Sequence, residues 1–217
     1  MSIRIVLADD HKILRAGLRA MIVEQPDMEV VGEAENGRMA VNLARSLSPD
    51  VVVMDIGMPD LNGIEATRQI VAEVPGVKII GLSMYSDRRY VSGLFGAGAS
   101  GYLLKDIEFE ELIEAIQAVV AGQVYVSSGV TGVVIEDYVH RISGTEGGGA
   151  SGLTSREREV LQLMVEGWST KQIAYELEVS IKTVESHRHR LMKKLDLHNI
   201  ADLTKYAIRA GMTSLEN

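Results

Sequence analysis

Five polar side chains stand where short apolar runs end. Asp9 and Asp10 close the run that begins at Ile3, and Asp55 closes Val51-Val52-Val53-Met54. Ser83 and Lys105 end two later runs of the same kind. Gly57 and Pro59 follow Asp55, so the backbone turns at once and leaves the carboxylate at a loop mouth. A lone Asp in such a place is more often a strand-end cap. Three carboxylates gathered together repel one another and need a cation. Oxygen donors with no Cys or His among them suit Mg²⁺, which keeps several waters and takes one or two carboxylates. An Asp beside such an ion can be a nucleophile toward phosphorus, with the ion and a nearby ammonium neutralising the charge on the equatorial oxygens.

For these five to meet, the chain between them must fold in one particular way. Strand patterns over 3–8, 28–32, 51–55, 77–83 and 101–104 alternate with helical spacing over 13–22, 39–47, 64–74, 87–96 and 109–121. The β-branched runs read as strands buried on both faces. Five strands alternating with five helices imply βαβ units and a parallel sheet. Right-handed crossovers then give a doubly wound three-layer sandwich. In a sheet ordered 2-1-3-4-5, the ends of strands one, three, four and five share a mouth, where open α/β sheets bind ligands. That mouth gathers Asp9, Asp10, Asp55, Ser83 and Lys105.

The chain of 217 residues is long enough for two modest domains. Hydrophobic residues make up 46% and charged ones 24%, with no run of about 18 apolar residues. No membrane span and no leader segment are expected. The absence of cysteine excludes disulfides, thiolate metal sites and a cysteine nucleophile. A cytoplasmic location is the expectation. The net charge of −8 divides unevenly: residues 1–150 carry 12 Lys+Arg against 21 Asp+Glu, and residues 151–217 carry 10 against 9, so −9 and +1. Between Lys182 and Lys194 five basic residues face a single Glu, and two His accompany them. A phosphate backbone feels that local charge.

Residues 122–152 read as an interdomain linker, with a short helix around 132–142 and a Gly/Ser-rich coil over 143–152. From Leu153 the pattern is all helical. Thr154 with Glu157, and Ser169 with Gln172, have capping-box spacing. Further helices follow Ser180 and Asn199, and the tight turn at 178–180 predicts a helix-turn-helix. Val184, His187, Leu191 and Leu195 form one face of the helix after Ser180 and predict packing on earlier helices. On that reading His187 belongs to the core. The opposite face suits the major groove. Glu185, Ser186 and His189 are the candidates for base edges. Lys171, Lys182, Thr183, Arg188, Arg190 and Lys194 are candidates for phosphates, and Lys193 shares the exposed face. The face of Leu203, Tyr206, Ala207 and Ala210 serves a dimer interface or the core of its own domain.

The run Asp9-Asp10, then Met54-Asp55-Ile56-Gly57-Met58-Pro59 with Asn62-Gly63, Leu82-Ser83 and Gly101 to Asp106, resembles a two-component receiver domain over residues 1–121. The stretch from Leu153 to Leu161, with Ile173-Ala174, Val179-Ser180 and Thr183 to His187, resembles a LuxR-type helix-turn-helix over 153–217. The whole chain is similar to NarL/FixJ-family response regulators, which implies a flavodoxin-like receiver and a small all-α DNA-binding domain. The resemblance implies that Asp55 is the phosphoacceptor, supplied by a sensor histidine kinase. It implies Mg²⁺ on Asp10, Asp55 and the Gly57 carbonyl, with Asp9 acting through water. Lys105 would pair with the phosphoryl group, and Ser83 with Tyr102 would form a switch pair. One departure stands out: many receivers have proline and a cis bond after the lysine, whereas Asp106 follows Lys105 here.

The expected function is a DNA-binding transcriptional regulator, not an enzyme, which dimerises when phosphorylated and reads a pseudo-palindromic operator. One rival is a phosphatase or phosphotransferase using Asp55 as a turnover nucleophile. Haloacid-dehalogenase-like enzymes set a second Asp two residues past the first, where this chain has Gly57. The other rival is a receiver that only dimerises.

Overall fold

A computed structural model of the chain describes residues 2–106, 108–142 and 152–213. It divides into two compact units near residue 146.

The first unit is built on a parallel sheet. Its strands are β1 (Ile3–Ala8), β2 (Met28–Ala34), β3 (Val51–Asp55), β4 (Lys78–Ser83), β5 (Gly101–Leu104) and β6 (Tyr125–Val126). The order is β2-β1-β3-β4-β5-β6, so the expected 2-1-3-4-5 arrangement holds with a sixth strand added at the edge. Strand residues alternate between two cores, as a pleat with period two requires. Val6, Ala8, Val52, Met54 and Ile79 pack on one side with α2 (Gly37–Leu47) and α3 (Gly63–Glu73). Ile5, Leu7, Val51, Val53, Ile80 and Leu103 pack on the other with α1 (Lys12–Val23) and α5 (Phe109–Val120). Both faces are covered, which is why these strands read as continuous apolar runs.

The segment 122–142 differs from the linker expected there. β6 pairs in parallel with Gly101 and Tyr102, and α6 (Ser128–Ile142) packs on α4 (Arg88–Gly96) and β5. Val130 is fully buried and Val133 and Val134 are partly so, in a third core with Tyr90, Leu94 and Tyr102. α6 contains the short helix expected around 132–142 but starts earlier, at Ser128, although Gly129, Gly132 and three β-branched valines weaken helix propensity. Tertiary burial of the valine stripe overrides that local preference. The Gly/Ser-rich coil expected over 143–152 lies, apart from Gly152, outside the described residues.

The second unit is helical: α7 (Ser155–Val165), α8 (Thr170–Glu176), α9 (Ile181–Leu195) and α10 (Ile200–Arg209). Both expected capping boxes form, at Thr154/Glu157 and Ser169/Gln172. Leu161, Leu163, Val184, Leu191, Leu203 and Ala207 fill its core. The α10 face offered above as interface or core is core: Leu203 and Ala207 are fully buried, with Tyr206 and Ala210 packed against them.

Candidate phosphoryl pocket and nucleic-acid face

Register brings the pocket together. Ala8 stands beside Met54 and Asp55 beside Leu82, so Asp9 follows directly next to Asp55. Ser83 pairs with Leu104, and the Lys105 N–H donates to the Ser83 carbonyl at 2.8 Å. No cis peptide occurs among the described residues, and this bond is what ties the loop at Lys105 to its neighbour.

The loop after β3 is held as tightly. The Gly63 N–H donates to the Ile56 carbonyl at 3.0 Å, and the Asn62 side chain accepts from the Glu65 N–H to cap α3. A Cβ on Gly63 would lie 2.0 Å from the Asp55 carbonyl oxygen, so only glycine lets α3 start this close to β3.

The Lys105 ammonium lies 2.8 Å from Asp55 Oδ2 and 2.9 Å from Asp9 Oδ2. All three side chains are buried. Asp55 Oδ1 accepts from the Gly57 N–H at 3.1 Å. Burial raises the Asp55 pKa above the usual carboxylate range and the Asp9 charge adds to this, with Lys105 and the Gly57 amide opposing. For Lys105, burial works against the charged form but the two carboxylates prevail, and its pKa is raised. Asp10 is partly exposed at the rim.

One residue of the pocket escaped the sequence reading. His11 Nδ1 lies 3.1 Å from Asp9 Oδ1, 2.9 Å from Asp10 Oδ1 and 3.9 Å from Asp55 Oδ2. Its one signal in the sequence was adjacency to Asp9-Asp10. A ring nitrogen thus stands beside the oxygens that the sequence reading gathered here. Asp9, Asp10, His11 and Asp55 each offer an atom within 4.8 Å of the others'. Asp9 Oδ2 and Asp10 Oδ1 are buried, and no donor is aligned on them as a hydrogen bond, despite their charge contacts. Several buried carboxylate oxygens sharing one ammonium fit a divalent cation.

Ser83 and Tyr102 lie beside this cluster. The Ser83 hydroxyl is buried and accepts from the Tyr85 N–H at 3.0 Å. Tyr102 points inward with no exposed surface, and its phenol donates to the Tyr85 carbonyl at 2.6 Å. Burial raises the pKa of that phenol.

In the second unit α8, a turn and α9 form the helix-turn-helix. Lys171, Lys182, Glu185, Ser186, Arg188, His189, Arg190 and Lys193 are exposed, and Thr183 is half-buried with its N–H on the Ser180 cap. Val184 and Leu191 face inward. His187 is half-buried with its Nδ1 enclosed, in line with the core reading. Lys194 is exposed too, and it makes a contact that the sequence does not show. Its ammonium lies 2.7 Å from Oε2 of the buried Glu157, the residue that closes the α7 capping box. The side chain stays 38% exposed, so this contact leaves it on the solvent side of α9.

A doubly wound parallel sheet with an acid–lysine mouth, followed by a four-helix unit with a helix-turn-helix, defines a response regulator. Residues 5–117 match the response regulator receiver domain, and residues 151–207 match the bacterial regulatory proteins of the luxR family. The chain belongs to the response regulators that join these two domains. It is 42% identical to the transcriptional regulatory protein LiaR of Bacillus subtilis, over 99% of this chain and all of that one. Among solved structures it is similar to the RcsB response regulator of Salmonella typhimurium, with 28% identity, a TM-score of 0.62 and coverage of 96% and 98% of the two chains. A structure of an RcsB–DNA complex matches with 27% identity and a TM-score of 0.59 over 97% and 99%. The relatives are regulators of transcription, and so is this protein; it is not an enzyme. No described helix is long and apolar enough to cross a membrane.

Proposed function

We propose that Asp55 accepts a phosphoryl group from a sensor histidine kinase and that the modified receiver sets the DNA-binding state of the second unit. The buried Asp55–Lys105 pair, flanked by two further acids, carries this reading. An Asp55 carboxylate oxygen attacks phosphorus, the P–N bond to the kinase histidine breaks, and the leaving imidazole takes up a proton. Lys105 then neutralises a phosphoryl oxygen. Asp10, Asp55 and the Gly57 carbonyl would hold Mg²⁺, with Asp9 acting through water. Such an ion supplies neutralisation of the charge on the phosphoryl oxygens.

The receiver corresponds to residues 1–121, extended by the packed β6 and α6, and the DNA-binding domain to 153–217. The output is a population shift in the receiver. The Ser83 hydroxyl turns to a phosphoryl oxygen, and the buried Tyr102 ring is held in the space beneath α4 and α6. Glu185, Ser186 and His189 read base edges in the major groove, while Lys171, Lys182, Thr183, Arg188, Arg190 and Lys193 meet phosphates. A two-fold dimer in the cytoplasm suits a pseudo-palindromic operator.

Mg²⁺-dependent labelling by a small phosphodonor tests the reading. Stable one-to-one label that is lost in Asp55→Asn is the expected result, with a DNA footprint that tightens on phosphorylation. Multiple turnover, or label that survives in Asp55→Asn, would overturn it.

A further inference from the structure

We infer that His11 supplies an imidazole nitrogen to the divalent ion of this pocket, tilting the site from Mg²⁺ toward borderline ions such as Mn²⁺ and Co²⁺. The inference rests on the reading that the pocket holds a divalent ion at all. Its geometric basis is the spacing of the donors. In an octahedron with bonds of about 2.1 Å, neighbouring donors lie about 3.0 Å apart. His11 Nδ1 stands 2.9 Å from Asp10 Oδ1, an edge length of such a polyhedron, and 3.1 Å from Oδ1 of Asp9, the carboxylate that acts through water. Asp55 Oδ2 at 3.9 Å falls between an edge and the roughly 4.2 Å diagonal.

The second observation is independent of that spacing. Asp9 is almost wholly buried, yet no hydrogen-bond donor is aligned on its Oδ2, and the same holds for Asp10 Oδ1. Lys105 compensates charge from one side only. A metal ion on Asp10 and the imidazole nitrogen, with a bound water turned to Asp9, would satisfy both oxygens.

Chemistry then sets the selectivity. Mg²⁺ favours an all-oxygen shell and binds imidazole poorly, whereas first-row transition ions accept mixed nitrogen and oxygen donors. His11 sits at the N-cap of α1 but makes no capping hydrogen bond; its Nδ1 meets Asp9 Oδ1 instead, and 67% of its side chain is exposed. Replacing it therefore removes the nitrogen without removing a helix cap.

Pulsed electron paramagnetic resonance of Mn²⁺ on the full chain, with calorimetric titration of Mn²⁺ and Mg²⁺, tests this. Wild type should show ¹⁴N modulation that His11→Ala abolishes, and the Mn²⁺-to-Mg²⁺ affinity ratio should fall about tenfold in that variant. Mn²⁺ that binds without ¹⁴N modulation, modulation that persists in His11→Ala, or an unchanged ratio overturns the histidine ligand and leaves the acidic pocket standing. Absence of binding by either ion overturns both this inference and the pocket reading beneath it.

Discussion

The Tyr102 phenol reaches across β5 and β4 to donate a 2.6 Å hydrogen bond to the main-chain carbonyl of Tyr85, two residues beyond Ser83. The ring and the Ser83 loop are thus mechanically joined, and the same ring forms the floor on which α4 and α6 pack. Tyr102→Phe should cost about 1 kcal/mol of unfolding free energy, the net worth of one hydrogen bond. Tyr102→Ala should cost about 3–5 kcal/mol, because it opens a cavity in that core. Denaturant unfolding of the two variants checks the ratio. A Phe variant as damaged as the Ala variant would show that the hydroxyl, not the ring, holds this face.

Tyr85 also bears on the lifetime of a phosphorylated Asp55. Its ring stacks on Tyr90 with centroids 4.9 Å apart, on the Ser83 side of the pocket. On the opposite side a Cβ at Gly57 would meet only Asp55 Oδ1, at 3.9 Å, so that flank is open to water. Tyr85→Ala should therefore give a severalfold shorter half-life of labelled phosphate. An unchanged or longer half-life rejects the shielding role.

Gly63→Ala probes how the pocket is positioned. The new methyl would meet the Asp55 carbonyl at 2.0 Å and force α3 away from β3. Overpacking of this kind costs about 1–3 kcal/mol. Labelling of Asp55 should fall further than the loss of folded protein accounts for, because the backbone bearing the carboxylate moves. Thermal melting and phosphodonor labelling, measured on the same samples, separate the two effects.

Glu157 predicts an acid limb to the stability of the second unit. Burial acts to raise its pKa, but Lys194 and the Thr154 cap outweigh burial and lower it below the ordinary 4.5. A depressed folded pKa means stability that is fully present above pH 4.5 and lost as pH falls through the lowered value. Glu157→Gln should flatten that limb in acid unfolding followed by the fluorescence of Trp168. The same acid loss in wild type and Glu157→Gln would assign it to other carboxylates.

The exposed face of α9 yields a separation of roles on DNA. Arg190→Ala should weaken binding to all sequences and lower the salt slope by about one. Ser186→Ala or His189→Ala should shift site preference and leave the slope alone. Lys194→Ala should instead lower unfolding stability by roughly 1–2 kcal/mol through loss of the Glu157 contact, with little change in slope. Salt-dependent binding to an operator and to random DNA distinguishes the three. A Lys194→Ala slope as altered as that of Arg190→Ala would return Lys194 to the phosphate contacts.

Local periodicity was enough to read the alternating strands and helices and the capping boxes at Thr154 and Ser169, while the sheet order, and with it the convergence of Asp9, Asp55, Ser83 and Lys105, came with the resemblance to receiver domains. Three features needed the folded chain. α6, expected only as a short helix around 132–142 within a linker, starts at Ser128 and packs on the receiver because Val130, Val133 and Val134 find a buried partner in Tyr102, a long-range gain that local pattern does not reveal. Lys194 looks like any other cation of α9 until α7 brings Glu157 to it. His11 joins the acids because the chain turns at the end of β1, and the direction of one side chain at a turn is set by tertiary packing rather than by residue type.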